Sequence, residues 1–205
     1  ITMKDTKITK QKYHHGDLQA TLLAATSAFI EQHGKDDLSL RKLAESVGVS
    51  RTAVYHHFKN KNDLLCAVAA EGFKLWLKTL EEIYRDPALS PQEQFKAFFY
   101  QYVKFAKDNA SIYDLMFGHT IWKDAEGTKA LKDVAYPTFQ HQVEMTQEWQ
   151  DKGLLPQGEN SLRLAQVLWG SMHGIARLFI DGIYTNTDNI EEMVACAINV
   201  FLVKN

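Results

Sequence analysis

Cysteine is nearly missing from this chain, which has only Cys66 and Cys196, far apart in apolar helical contexts. Two such residues build neither a disulfide framework nor a metal spacing, and both read as reduced core thiols. Proline is almost as scarce, with 4 in 205 residues, and 11 glycines are too few for a turn-rich β architecture. No apolar run approaches the roughly 18–20 residues that span a bilayer. The polar, charged start ITMKDTKITKQKYHHG lacks the apolar core of a secretory signal. The expectation is therefore a cytoplasmic protein with no membrane association. Glu-x-x-His, Gly-x-Ser-x-Gly, the P-loop and the dinucleotide fingerprint are all missing, so no enzyme, metal or cofactor is expected.

Charge is unevenly spread. Residues 1–61 hold ten Lys/Arg against six Asp/Glu, while the remainder holds 13 against 19, within an overall net charge of −2. A basic N-terminal part on an acidic body points to a polyanionic partner for the first part alone.

Apolar spacing follows the helical period nearly throughout. Leu18, Leu22, Ala25 and Phe29 form one stripe, closed by Gly34. Ser39 and Ser50 are candidate N-caps for two short helices, and Asn60 with Asp63 for a long one that Asp86-Pro87 ends. Leu64, Val68, Phe73, Leu75 and Trp76 mark that long helix. Ser90-Pro91-Gln92-Glu93 opens another with a capping box. A long stretch from about 126 to 152 should kink or join at Pro137, and two final helices are expected at about 160–184 and 189–203, the last opened by Asp188. The fold class is all-α, with about nine helices.

Residues 40–59, LRKLAESVGVSRTAVYHHFK, carry the most specific signal. Ala44 is small where two helices would cross, and Gly48 sits where a tight turn needs positive φ. Leu43, Val47, Val49 and Val54 supply an apolar inner face. The second helix presents polar groups outward, with no acid from Ser50 to Lys61. This is a helix-turn-helix, whose second helix fits the major groove of B-DNA. The adjacent pairs His14-His15 and His56-His57 point in different directions on a helix and lack a third ligand, which argues against metal.

Gly48-Val49-Ser50, Val54-Tyr55, His57-Phe58 and Lys61 resemble the N-terminal domain of the tetracycline-repressor (TetR) family over about residues 13–66. Trp169, His173 and Gly174 are similar to a Trp…His-Gly signature of one C-terminal subgroup. Thr52 departs from the Gly or Pro common at its position, so no relative's operator can be carried over. The chemistry and the matched positions give Arg41 and Arg51 guanine contacts and Thr52 and Ala53 thymine methyls, while Ser39, Tyr55, His57 and Lys61 match phosphate-holding positions. Ser50 caps the reading helix, and His56 can face base, phosphate or solvent. Lys4, Lys7, Lys10 and Lys12 form either a flexible basic arm on DNA, over residues 1–12, or a tail without a role. The expected domains are then 13–61 for DNA binding and 62–205 for effector binding and dimerisation.

The body is rich in aromatics, each of which can be core or can line the effector pocket that the resemblance implies. Tyr102, Phe105, Tyr113, Phe117, His119, Trp122, Trp169, His173 and Arg177 are the pocket candidates. Two readings stand for His173: a ligand contact, or a hydrogen bond across the bundle. The last two helices carry small residues among apolar ones. Leu164, Leu168, Ser171, Ile175, Phe179, Val194, Ile198 and Phe201 are the candidates for a four-helix homodimer interface. The function expected is a ligand-responsive repressor released from a palindromic operator on double-stranded DNA by an apolar or aromatic small molecule. The alternatives are a small-molecule binding protein or a non-specific nucleoid binder on the same scaffold.

Overall fold

The structure, a computed structural model, describes residues 15–122, 127–184 and 189–203. The basic arm, His14 and Asp188 lie outside them. Every regular element among the described residues is a helix, and there are ten. The chain divides into two compact units, Ile1–Leu64 and Leu65–Asn205.

The first unit holds α1 (His15–His33), α2 (Leu40–Val47), α3 (Arg51–His57) and the first turn of α4 (Lys61–Arg85). The buried stripe of α1 is Leu18, Leu22, Thr26 and Ile30, one position away from the expected Ala25 and Phe29. Thr26 is tolerated there because its hydroxyl donates to the Leu22 carbonyl at 2.7 Å. The Ser39 hydroxyl accepts from Lys42 N–H and starts α2. Gly48 ends it at φ 73°, a left-handed conformation that lets Val49 N–H reach the Ala44 carbonyl at 3.0 Å. Ser50 then caps α3 by accepting from Ala53 N–H at 3.1 Å. Asn60 accepts from Asp63 N–H at 2.8 Å while Asp63 accepts from Lys59 N–H at 3.0 Å, a reciprocal cap on α4. Leu22, Leu43, Ala44 and Val54 are buried to 1% or less exposure and tie these helices together.

The second unit continues α4 and adds α5 (Pro91–Asp108), α6 (Ala110–Phe117), α7 (His119–Trp122), α8 (Lys129–Asp151), α9 (Ser161–Ile180) and α10 (Ile190–Phe201). The capping box at Ser90 and Glu93 forms in full. Both α5 and α8 pack on α9, around a core of Trp76, Phe95, Phe98, Phe99 and Trp149. Gly72 is required by close approach: a Cβ there would lie 2.6 Å from side-chain atoms of Ile112 and Met116, so glycine lets α6 settle on α4.

Three expectations need correction. The join offered as one alternative at Pro137 does not occur, since α8 runs unbroken through it. The proline sits on the exposed face, where solvent can take the freed carbonyl. Leu75, expected in the buried stripe of α4, is 48% exposed. Cys196 is exposed on the outward side of α10, whereas Cys66 is buried.

Candidate DNA-binding face and effector cavity

The sequence-chosen DNA residues all fall on α2, α3 and the helix starts beside them. Ser39 and Ser50 are engaged as caps. Arg41, Arg51, Thr52, Tyr55 and His56 are exposed, and Ala53 and His57 half-buried. Tyr55 is 56% exposed, unusual for a large ring with no packing role to fill. The ammonium of Lys61 donates to the Asp36 carbonyl at 3.1 Å, which leaves two of its three protons for another acceptor. Sequence reading overlooked Glu45. Its carboxylate accepts from Arg41 at 2.9 Å and lies 3.8 Å from Arg51, so it holds both arginines in the free protein. The available signal was its spacing, four residues after Arg41 on one helix face.

The second unit holds a cavity of about 450 Å³ between α4, α5, α6, α7, α8 and α9. Tyr102, Phe117, His119, Trp122 and Trp169 line it, as do Phe73 and Trp76 from α4. Phe105, Tyr113, His173 and Arg177 do not line it. Phe105 packs on Trp76 with ring centroids 5.5 Å apart. Tyr113 and His173 sit behind Tyr102, and Arg177 is held by Asp114 at 3.1 Å and Asp181 at 2.5 Å. Thr138, Phe139 and Gln142 were missed; they line the cavity from one face of α8 with Ala135. Their mixed polarity resembles a solvated surface in sequence, although Thr138 and Gln142 are 5% and 4% exposed.

One polar chain connects the cavity wall to α9. Trp169 Nε1 donates to Tyr102 Oη at 2.8 Å, Tyr102 Oη meets Tyr113 Oη at 2.8 Å, and Tyr113 Oη meets His173 Nδ1 at 2.6 Å. Indole can only donate, so Tyr102 accepts at one end. If Tyr102 then donates to Tyr113 and Tyr113 to His173, every buried donor is matched. The reverse order would leave the Tyr102 O–H, at 1% exposure, without a protein acceptor. The matched order makes His173 Nδ1 an acceptor and puts the imidazole proton on Nε2. Burial, followed by the nearby Arg177 charge, lowers the pKa of His173 and keeps it neutral. Burial likewise pushes the phenols of Tyr102 and Tyr113 well above the ordinary tyrosine value, so both remain protonated donors.

Of the residues chosen for a dimer interface, Leu164, Leu168, Val194 and Ile198 are buried within the subunit's own core. Phe201 stacks on Phe99 at 5.8 Å, and Ser171, Ile175 and Phe179 are half-buried. The exposed outer stripes are instead Val167 and Gly170 on α9, and Ala195, Cys196, Asn199 and Val200 on α10. Leu164 and Leu168 turn inward for a simple reason: α9 is apolar on two sides, and the larger side chains face α5 and α8. Among the described residues no cluster of His, Cys, Asp and Glu could hold a metal ion.

A left-handed glycine turn between two short capped helices, with an arginine and no acid on the second, defines a helix-turn-helix protein. Comparison with known proteins agrees. Residues 22–68 match the family described as bacterial regulatory proteins of the tetR family, and residues 95–201 match the tetracyclin repressor-like C-terminal domain. The second match alone covers more than half of the chain, and the chain belongs to the TetR family, whose members are transcriptional regulators and not enzymes. An uncharacterised helix-turn-helix regulator of Haemophilus influenzae is 32% identical over 92 residues, which is 45% of this chain and 45% of the relative. The chain thus aligns with less than half the length of that relative. A solved Rhodococcus protein of unknown function superposes with a TM-score of 0.80 at 30% identity, over 94% of this chain and 97% of that one. The SmeT–triclosan complex shares the fold, with a TM-score of 0.65 at 18% identity over 91% and 92%. No helix among the described residues is long and apolar enough to cross a membrane.

Proposed function

We propose that this chain is a cytoplasmic, homodimeric repressor that binds a palindromic operator and releases it when a small apolar or aromatic effector enters the cavity. The observation that carries this reading is α4. It is one uninterrupted helix that bears Lys61 at its start, beside the reading helix, and Phe73 and Trp76 in the cavity wall. A ligand that repositions those two rings acts on the same helix that begins with Lys61. The effector must favour the DNA-incompetent state, by about 1–3 kcal/mol for ordinary allostery. Triclosan, an aromatic compound held by a protein of this fold, fits the same picture.

The outward stripes of α9 and α10 are the surface on which two copies would meet. Gly170 and Gly174 have open space where a Cβ would be, which allows a partner helix to come close. A twofold dimer would present two α3 helices to half-sites about 34–36 Å apart, or somewhat more. One helix makes few base contacts, so operator-level affinity needs the pair.

The experiment is a DNA titration against the region upstream of its own gene, at several salt concentrations, beside random DNA of equal length. Sequence-preferring, salt-dependent binding by a dimer is expected. Equal affinity for random DNA would make the protein a non-specific nucleoid binder, and no binding to either would leave only a small-molecule binding protein. Arg51→Ala should relax base preference, whereas Lys61→Ala should weaken binding on all sequences alike.

A further inference from the structure

The cavity has a chemical polarity that its aromatic lining conceals. Among the described residues that line it there is no Lys, Arg, Asp or Glu. A charged ligand group would therefore enter without a counter-charge, at a large desolvation cost. Several polar side chains of the wall have, moreover, already committed protons inside the protein. Trp122 Nε1 donates to the Met116 carbonyl at 2.6 Å, and Trp169 Nε1 to Tyr102 at 2.8 Å. Thr138 Oγ donates to the Val134 carbonyl at 2.8 Å, the preceding turn of its own helix. Tyr102 donates onward to Tyr113 in the proton order that leaves no buried hydroxyl stranded.

Gln142 completes the pattern. Its amide nitrogen donates to the Ala165 carbonyl at 3.2 Å. Because a carbonyl can only accept, this contact fixes which end of the amide is nitrogen and leaves Gln142 Oε1 as the other end. Gln142 and Thr138 are one turn apart on the same face of α8, so one ligand group can reach both oxygens. Both oxygens retain lone pairs and neither carries a free proton, since the second amide proton of Gln142 sits on its nitrogen end.

We propose that the cavity selects a neutral, largely apolar ligand whose polar group is a hydrogen-bond donor (a phenol, an alcohol or a secondary amide), received by Gln142 Oε1 and Thr138 Oγ. This rests on the reading of the cavity as the effector site, and adds to it the chemical class of the effector. The aromatic walls accept a flat hydrocarbon body, while the two oxygens discriminate at one end. A carboxylate brings charge without a partner. An ether of the same shape has no proton for either oxygen. A site built around fixed hydrogen-bond groups rejects an analogue lacking the complementary atom more strongly than a greasy pocket rejects a wrong size.

The test uses three probes of one shape with the purified full chain at pH 7: 2-naphthol, 2-methoxynaphthalene and 2-naphthoate, titrated by calorimetry. The expected result is saturable binding of the naphthol roughly tenfold tighter than the methyl ether, the size of one net hydrogen bond, and no saturable binding of the naphthoate. In Gln142→Leu the naphthol should fall to the affinity of the ether, with the ether unchanged. Should losing the Ala165 contact unfold that variant, Thr138→Val is the second, and is expected to narrow the difference between naphthol and ether. Equal affinity of naphthol and ether, or preference for the naphthoate, overturns the donor rule while sparing the cavity as a ligand site. Failure of both neutral probes to bind overturns the effector-site reading as well.

Discussion

Removing a single oxygen tests the polar chain behind the cavity. Tyr113→Phe keeps the ring, its stack on His173 at 5.5 Å and its contact with Phe117 at 4.7 Å, and deletes only the hydroxyl. Two hydrogen bonds disappear, at 2.8 Å to Tyr102 and 2.6 Å to His173. Each contributes about 1 kcal/mol net, and each leaves behind a group that adds to the loss if it finds no substitute. His173 is half-buried and can accept from water. The Tyr102 O–H can rotate only toward the cavity, where a water can meet it. The loss is therefore about 2 kcal/mol rather than the larger cost of two stranded groups. For a chain of this length each kcal/mol shifts Tm by roughly 2–4 °C, so Tm should drop by about 4–8 °C. The assay is thermal unfolding by circular dichroism at pH 8, where His173 is neutral, at one fixed protein concentration. The same substitution frees the Tyr102 proton for the cavity and should raise the affinity of 2-methoxynaphthalene. A Tm change below about 1 °C together with unchanged ether binding would refute the proton order drawn here.

Three further outcomes are expected. Because burial and Arg177 lower the pKa of His173, the unfolded chain takes up that proton first as pH falls below about 6.5. Stability is full above that pH and is lost as pH drops through the folded value. His173→Asn, whose side-chain oxygen can still accept from Tyr113, should flatten this part of the stability–pH curve. Nitrogen NMR should find the proton of wild-type His173 on Nε2. Glu45→Gln releases Arg41 and Arg51 from an exposed pairing, and DNA affinity at low salt should rise roughly two- to fivefold, with the gain vanishing at high salt. Gly48→Ala meets no neighbour within 4 Å, so its cost is purely the left-handed backbone at φ 73°, about 1–2 kcal/mol. Hydrogen exchange of the α2–α3 amides should accelerate roughly 5–30-fold, and no acceleration would mean that the turn relaxes to another conformation.

The helix-turn-helix was legible in sequence because everything that builds it is local. The caps at Ser39, Ser50 and Asn60 act on amides three residues away, and Gly48 answers a backbone angle at its own position. The capping box at Ser90 is local in the same way, and it formed as expected. Pro137 shows the limit of that logic, since a missing donor breaks a helix only if nothing else can take its carbonyl. In the second unit, helical periodicity marked which residues are apolar but not what each stripe would meet. Leu164 and Leu168 face their own core, while Val167 and Gly170, within one or two residues of Leu168, face out.

The cavity depended on tertiary structure most of all. Tyr102 and Tyr113 are both buried tyrosines on neighbouring helices, yet one lines the wall and the other stands behind it. Thr138 and Gln142 read as surface in sequence, yet both are buried, and the Ala165 carbonyl of α9 takes one of the two glutamine amide protons. Sequence alone determined the helices, their caps and the DNA-reading face, because those follow from bonds within a turn or two of chain. Only the packing of α4, α5, α6, α7, α8 and α9 decided which side chains share the cavity, and which of their protons are already committed. Both depend on atoms brought together from positions tens of residues apart.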